Sequence, residues 1–280
     1  MSTSGRRAAL WVAAAALAAS GCTPSPDEDR RAEAIDALRG HVASTARLSG
    51  FTLTDDWRLE VVSGQPPSTQ ALYPTEGSGT TDPAAPIAVP RDDFPLDATV
   101  ELAQAQIESC DGDARVTARA LAAGTAVVSA ECDGQGSAFL DGDPLQPIAE
   151  PVSAAAVTQV WADIERAGIA EDVVFVDVDA SQGIVNVALR GTDRERTYHW
   201  YRALDGTHTR VESHPLLTGV TLPGPGPLPD APTVAAAVDE LLASLPDPGQ
   251  AARLEVRRDT GQVVALKAAD GTDLASATLD

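Results

Sequence analysis

Apolar positions along the chain fall into blocks that open on an alanine-rich stretch with helical spacing and close on short alternating runs. The clearest block begins at Ser153. That residue is placed to cap a helix carrying Val157, Val160, Trp161 and Ile164 on one face, and Gly168 ends it. Val174, Val176 and Val178 then alternate with Phe175, Asp177 and Asp179. Val185, Val187 and Leu189 follow after a turn at Ser181–Gly183. Two more strands, 196–203 and 207–213, flank an Asp205-Gly206 turn, a strong short-range hairpin signal. A second block repeats the order. Thr233 opens a helix with Val234, Val238, Leu241, Leu242 and Leu245, and strands follow around Leu254–Val256 and Val263–Ala265. Earlier, the pattern predicts a helix over 97–109 with strands near 114–120, 125–132 and 136–140. Earlier still it predicts a helix over 29–48 and a strand near 57–63.

These runs predict an α+β fold of repeated modules, each a helix followed by an antiparallel meander. Residues 31–150 form an amino-terminal region, 151–213 and 233–280 two further modules. Proline separates them. Ser63 to Pro95 holds seven prolines and reads as a long loop; 214–232 holds six and reads as an extended Pro/Gly linker. In layout, residues 95–280 resemble small exported modules of the PepSY or β-lactamase-inhibitor type, which also pair a helix with a meander. That likeness carries no site residues across.

Composition narrows the function classes. The 280 residues hold 20 Lys+Arg against 41 Asp+Glu, a net charge of −21, and Lys267 is the one lysine. Such an acidic surface repels phosphate backbones, so no nucleic-acid partner is expected. With 44% hydrophobic residues the chain can bury a core.

The first 22 residues read as an address. Arg6 and Arg7 form a basic start, Ala8–Ala19 an apolar stretch, and Ala19-Ser20-Gly21-Cys22 follows. The segment resembles a bacterial lipoprotein signal, although Ala19 stands where leucine is usual. The resemblance implies removal of residues 1–21, diacylation of Cys22, and a polar tether over 22–30 leading to the fold. It places the protein on the extracytoplasmic face of the cell membrane, held by lipid. Cleavage would remove two arginines and no acids, taking the net charge to −23. The apolar stretch is about 12 residues, short of the ~20 that span a bilayer. Cys110 and Cys132 are then left to each other, and an oxidising compartment favours a disulfide between them.

Chemistry beyond this is sparse. Tyr198-His199-Trp200-Tyr201 is the densest aromatic cluster. Counting back from the Asp205-Gly206 turn pairs Tyr201 with Arg210, Trp200 with Val211 and His199 with Glu212. Alternation then sends Trp200, Tyr198 and Val211 toward the helix bearing Trp161. It leaves His199, Tyr201, Arg210 and Glu212 on a polar face as candidate surface-binding residues. His199 and His208 lie about 13 Å apart on that face, too far for one ion, and His214 is read as beyond the hairpin. Asp177-Val178-Asp179 starts like a calcium loop, but Ala188 stands where the bidentate Glu belongs, so both aspartates are read as the wet side of a strand. No metal site, cofactor or catalytic residue is expected, and no G-x-S-x-G, S-x-x-K or H-E-x-x-H motif occurs.

The sequence thus points to a non-enzymatic, lipid-anchored envelope protein that binds another protein or a surface component. Two alternatives stand beside it. One is a carrier or sensor for a small apolar ligand between helix and sheet, beside Trp161; the other is a hydrolase with a non-standard site.

Overall fold

The computed structural model describes residues 26–77, 79–81, 87–191, 196–216, 222, 226–258 and 261–279. They form four helices and two antiparallel sheets, an α+β arrangement. Cys22 and the address segment lie outside the described residues, as does most of the 217–225 stretch of the expected linker. Among the described residues no helix is long and apolar enough to cross a membrane.

Helix α1 (Pro26–Ser44) is followed by strands β1 (Arg47–Thr54), β2 (Leu59–Ser63) and β3 (Ser68–Tyr73), then two-residue strands β4 (Thr80–Thr81) and β5 (Val89–Pro90). Helix α2 (Leu96–Glu108) leads to β6 (Ala114–Ala122), β7 (Thr125–Cys132), β8 (Gln135–Leu140) and β9 (Asp143–Pro144). The first sheet runs β4-β3-β2-β1-β6-β7-β8-β9, with β5 added beside β1. Helix α3 (Ala154–Arg166) precedes β10 (Val173–Asp179), β11 (Ile184–Arg190), β12 (Arg196–Ala203) and β13 (Thr209–Pro215). Helix α4 (Ala231–Ser244) precedes β14 (Arg253–Arg257), β15 (Gln262–Lys267) and β16 (Asp273–Leu279). The second sheet runs β13-β12-β11-β10-β14-β15-β16. In both sheets the central pair, β1 with β6 and β10 with β14, joins strands far apart in sequence.

Several expectations change. The stretch 63–95 is not one long loop: β3 crosses it, with cis peptides at Gln65-Pro66 and Tyr73-Pro74 on either side. Strand β1 begins where the first helix was expected to continue, because Leu48, Phe51 and Leu53 bury against both helices' core. His214 lies within the hairpin, opposite Thr197, because β13 runs on to Pro215. Proline is tolerated there because β13 is an edge strand.

Local chemistry explains several ends. Ser153 Oγ accepts from the Ala156 amide, as expected of the cap. For α4 the cap is Asp230 rather than Thr233; its carboxylate accepts the Thr233 amide, and Pro232 sits in the first turn. At Gly50 (φ +149°) a Cβ would lie 2.0 Å from the Ala118 carbonyl oxygen, so only glycine lets β1 approach β6 this closely.

The first sheet is a middle layer. Val128 and Phe139 face α1 and α2, whereas their neighbours Val127, Ala138 and Leu140 face the second half. There they join a core with Trp161, Trp200, Val187 and Leu254. The β12–β13 turn docks on β8, the Ala138 amide donating to Gly206 O at 3.0 Å and the Ile148 amide to Leu204 O at 2.7 Å.

Candidate functional site

The disulfide expected from the sequence is present. Cys110 follows the end of α2 and Cys132 ends β7, with Cα atoms 5.7 Å apart, so the bridge ties helix to sheet.

The hairpin register is the one counted from the Asp205-Gly206 turn: Tyr201 pairs with Arg210 and His199 with Glu212. Trp200 is 1% exposed, and its indole N–H donates to Thr209 Oγ1 at 2.8 Å. On the opposite face the Arg210 guanidinium lies 4.7 Å from the Tyr201 ring centre. His199 is half-buried there, not a freely solvated group. It stacks on Tyr201 at 5.8 Å and meets the His214 ring edge-on at 4.7 Å. Its Nδ1 bonds Asn186 Oδ1 at 3.0 Å and its Nε2 bonds Thr197 Oγ1 at 3.1 Å. With the amide oxygen as acceptor, Nδ1 carries the proton and Nε2 accepts from the hydroxyl, a neutral imidazole. Burial, then the neighbouring His214, lowers the His199 pKa to about 4.

Asp177 and Asp179 are not on a wet face. They are 6% and 2% exposed, because β14 pairs alongside β10 and brings Arg253 over them. Arg253 Nη2 donates to Asp177 Oδ2 at 2.6 Å, its Nε lies 3.3 Å from Asp179 Oδ2, and Lys267 Nζ lies 2.9 Å from Glu255. Burial raises the Asp177 pKa and the Arg253 hydrogen bond opposes it. A second buried pair joins Arg202, 1% exposed, to Asp163, which Arg166 also reaches at 2.8 Å. Among the described residues no three His, Cys, Asp or Glu side chains gather where a metal ion would fit.

Trp161 is packed: its indole N–H donates to Pro229 O at 2.7 Å, and it is 3% exposed. An opening of about 690 Å³ lies elsewhere, at the junction of the two sheets. Arg47, the Gln65–Pro67 turn, Ile87–Pro90 and Leu121–Ala123 form its first wall. Ile169, Asp172, Leu189, Arg190, Arg196 and Tyr198 face them, with Ser213 behind. Arg47 Nη2 donates to Ala88 O, and Arg196 donates to Ser213 Oγ through Nε at 3.0 Å and Nη2 at 2.7 Å. Both size and position, a seam between two packed units, are those of small-molecule sites.

The cavity was not foreseen, since its walls come from separate segments scattered between Arg47 and Ser213. A signal did exist for the buried arginine: Arg202 has the same strand parity as Trp200 and Tyr198, so alternation alone puts a guanidinium in the core. No protein-family model matches the chain, and no curated protein matches it.

Proposed function

We propose that the chain is a lipid-anchored, non-enzymatic binding protein of the cell envelope whose occupant is a small molecule held between its two sheets. The observation that carries the reading is the cavity of about 690 Å³ at their junction, walled mostly by apolar and proline side chains. This differs from a ligand between helix and sheet beside Trp161, where the indole is packed and bonded to Pro229 O; the seam cavity is what supports the present reading. The test uses the neutral probe N-phenyl-1-naphthylamine. Saturable binding of one molecule per chain is expected, abolished in Ala122→Trp, where an indole fills the cavity from a half-buried position. Absence of saturable binding in a folded protein would overturn the reading.

Anchoring through Cys22 rests on Ala19-Ser20-Gly21-Cys22 and the apolar stretch before it. Expressed with its own leader in a bacterium, the protein is expected to enter the detergent phase of a Triton X-114 partition, and Cys22→Ser to stay in the aqueous phase. The modular reading is supported by the central pairings. In each sheet the first strand after one helix pairs with the first long strand after the next, as two helix-plus-meander units joined back to back would do.

A second reading is favoured by Arg210 stacked on Tyr201, a cation–π pair on the sheet face opposite Trp200. Under it, His199, Tyr201, Arg210 and Glu212 bind a protein or surface component of the envelope. Capture of the same partner by wild type but not by Tyr201→Ala or Arg210→Glu is the expected result; capture indifferent to both variants excludes this face.

A further inference from the structure

The chain carries twice as many acids as bases, yet the cavity reverses the ratio: its walls hold Arg47, Arg190 and Arg196 against one carboxylate, Asp172. Two of the three guanidinia are engaged, Arg47 on the Ala88 carbonyl and Arg196 on Ser213. The third is not satisfied. Arg190 Nε and Nη2 are buried and have no hydrogen-bond acceptor. Burying charged donors without an acceptor is costly, so of the three guanidinia on the cavity wall Arg190 is the one with hydrogen-bonding capacity left over. Arg258, which donates to Val173 O at 2.8 Å, adds a like charge close enough to Arg190 for its own pKa to be lowered, by burial first and then by Arg190. The cavity walls therefore carry a surplus of positive charge among mostly apolar side chains. Ile87, Val89, Leu121, Ile169 and Leu189 supply the apolar remainder.

Resting on the binding role proposed above, we infer that the cavity is selective for an anionic amphiphile, a small molecule with one carboxylate, sulfonate or phosphate head and an apolar body. The head is assigned to Arg190, with Arg47 and Arg196 on the same cavity's walls, and the body to the leucine and isoleucine side chains that line it from both sheets. Bidentate guanidinium geometry suits such planar or tetrahedral oxyanions. The net charge of −21 repels anions at a distance, but the Debye length is about 10 Å at 0.1 M salt, so in physiological salt the guanidinia at the wall dominate what the head group meets.

A matched probe pair separates this inference from the binding role itself. 8-Anilinonaphthalene-1-sulfonate and N-phenyl-1-naphthylamine share one ring skeleton, and only the first carries a sulfonate. Fluorescence titration of the mature domain is expected to give one site for each, with the sulfonate bound at least about tenfold more tightly, the yield of one charge-assisted contact. Arg190→Met should remove that preference and leave the neutral probe unaffected. Without ligand the same variant should melt no lower than wild type, since it deletes a buried unpaired charge. A merely structural Arg190 would instead lose stability and both probes together. Equal affinity for the two probes overturns the inference and leaves the binding role standing; binding of neither overturns both. Competition names the head: displacement of the sulfonate by dodecanoate identifies a carboxylate amphiphile, and displacement by dihexanoyl phosphatidic acid a phosphate one. Displacement by neither counts against the inference.

Discussion

Arg202 shows what one residue can hold in place. Its guanidinium is buried beside Asp163 and also donates to the Gln146 carbonyl, so it links α3, the 145–148 segment and β12. Removing one partner of such a pair leaves a buried charge uncompensated, and that penalty outweighs the lost attraction. Arg202→Met is expected to cost about 3 kcal/mol in urea unfolding, whereas Arg202→Met combined with Asp163→Leu should recover most of it. A double variant no better than the single would show that the pair's worth lies elsewhere. His199 gives a pH-dependent case. Its folded pKa is about 4, against about 6.5 for an unperturbed histidine. As pH falls the unfolded chain takes up the proton first, so the stability contributed by neutral His199 is complete above about pH 6.5 and lost between 6.5 and 4. Asp163 and Asp177, whose pKa values burial raises, act with the opposite sign, so the comparison with a variant isolates the histidine. His199→Gln should melt below wild type at pH 7.5, with the gap closing by pH 4. A gap constant with pH would mean the ring contributes by packing alone.

At the scale of elements the disulfide has a definite worth. It closes a loop of 22 residues from the end of α2 to the end of β7, for which chain entropy gives about 3 kcal/mol. Cys110→Ser with Cys132→Ser is expected to lose that much in equilibrium unfolding, and reduction of the wild type to reproduce it; a loss under about 1 kcal/mol would place the cost in the native state instead. The elements also show how far the sequence reaches. Ser153, the 3.6-residue spacing of Val157 to Ile164, and Asp205-Gly206 each act within a few residues. The helix α3 and the β12–β13 register were therefore legible to the residue. The β3 strand was hidden because Pro66 and Pro74 flank it rather than interrupt it. The burial of Asp177 was hidden because Arg253 arrives from 76 residues away, through a strand pairing that no local pattern specifies. The cavity is hidden for the same reason, compounded by a seam between sheets.

For the whole molecule the seam decides whether two sheets behave as one body. Leu121, Val127 and Leu140 of the first sheet bury in the same core as Trp200 and Val187 of the second, so neither half completes its packing alone. Cooperative unfolding in one transition follows from a shared core of that kind. Gly136 is the place to test it. It lies in β8 at ordinary backbone angles, yet a Cβ there would meet Thr207 O at 2.5 Å and the His208 ring at 2.4 Å, both across the seam. Gly136→Val suits a strand, and the nearest atoms its Cβ would meet all belong to the docked β12–β13 turn. The expected calorimetric trace resolves into two transitions where wild type gives one. Because the cavity is walled by both sheets, the same variant should bind N-phenyl-1-naphthylamine more weakly while its far-ultraviolet circular dichroism is unchanged. One transition with undiminished probe binding would show that the 205–208 turn yields to the new side chain, and that the remaining apolar contacts across the seam hold the sheets together without it.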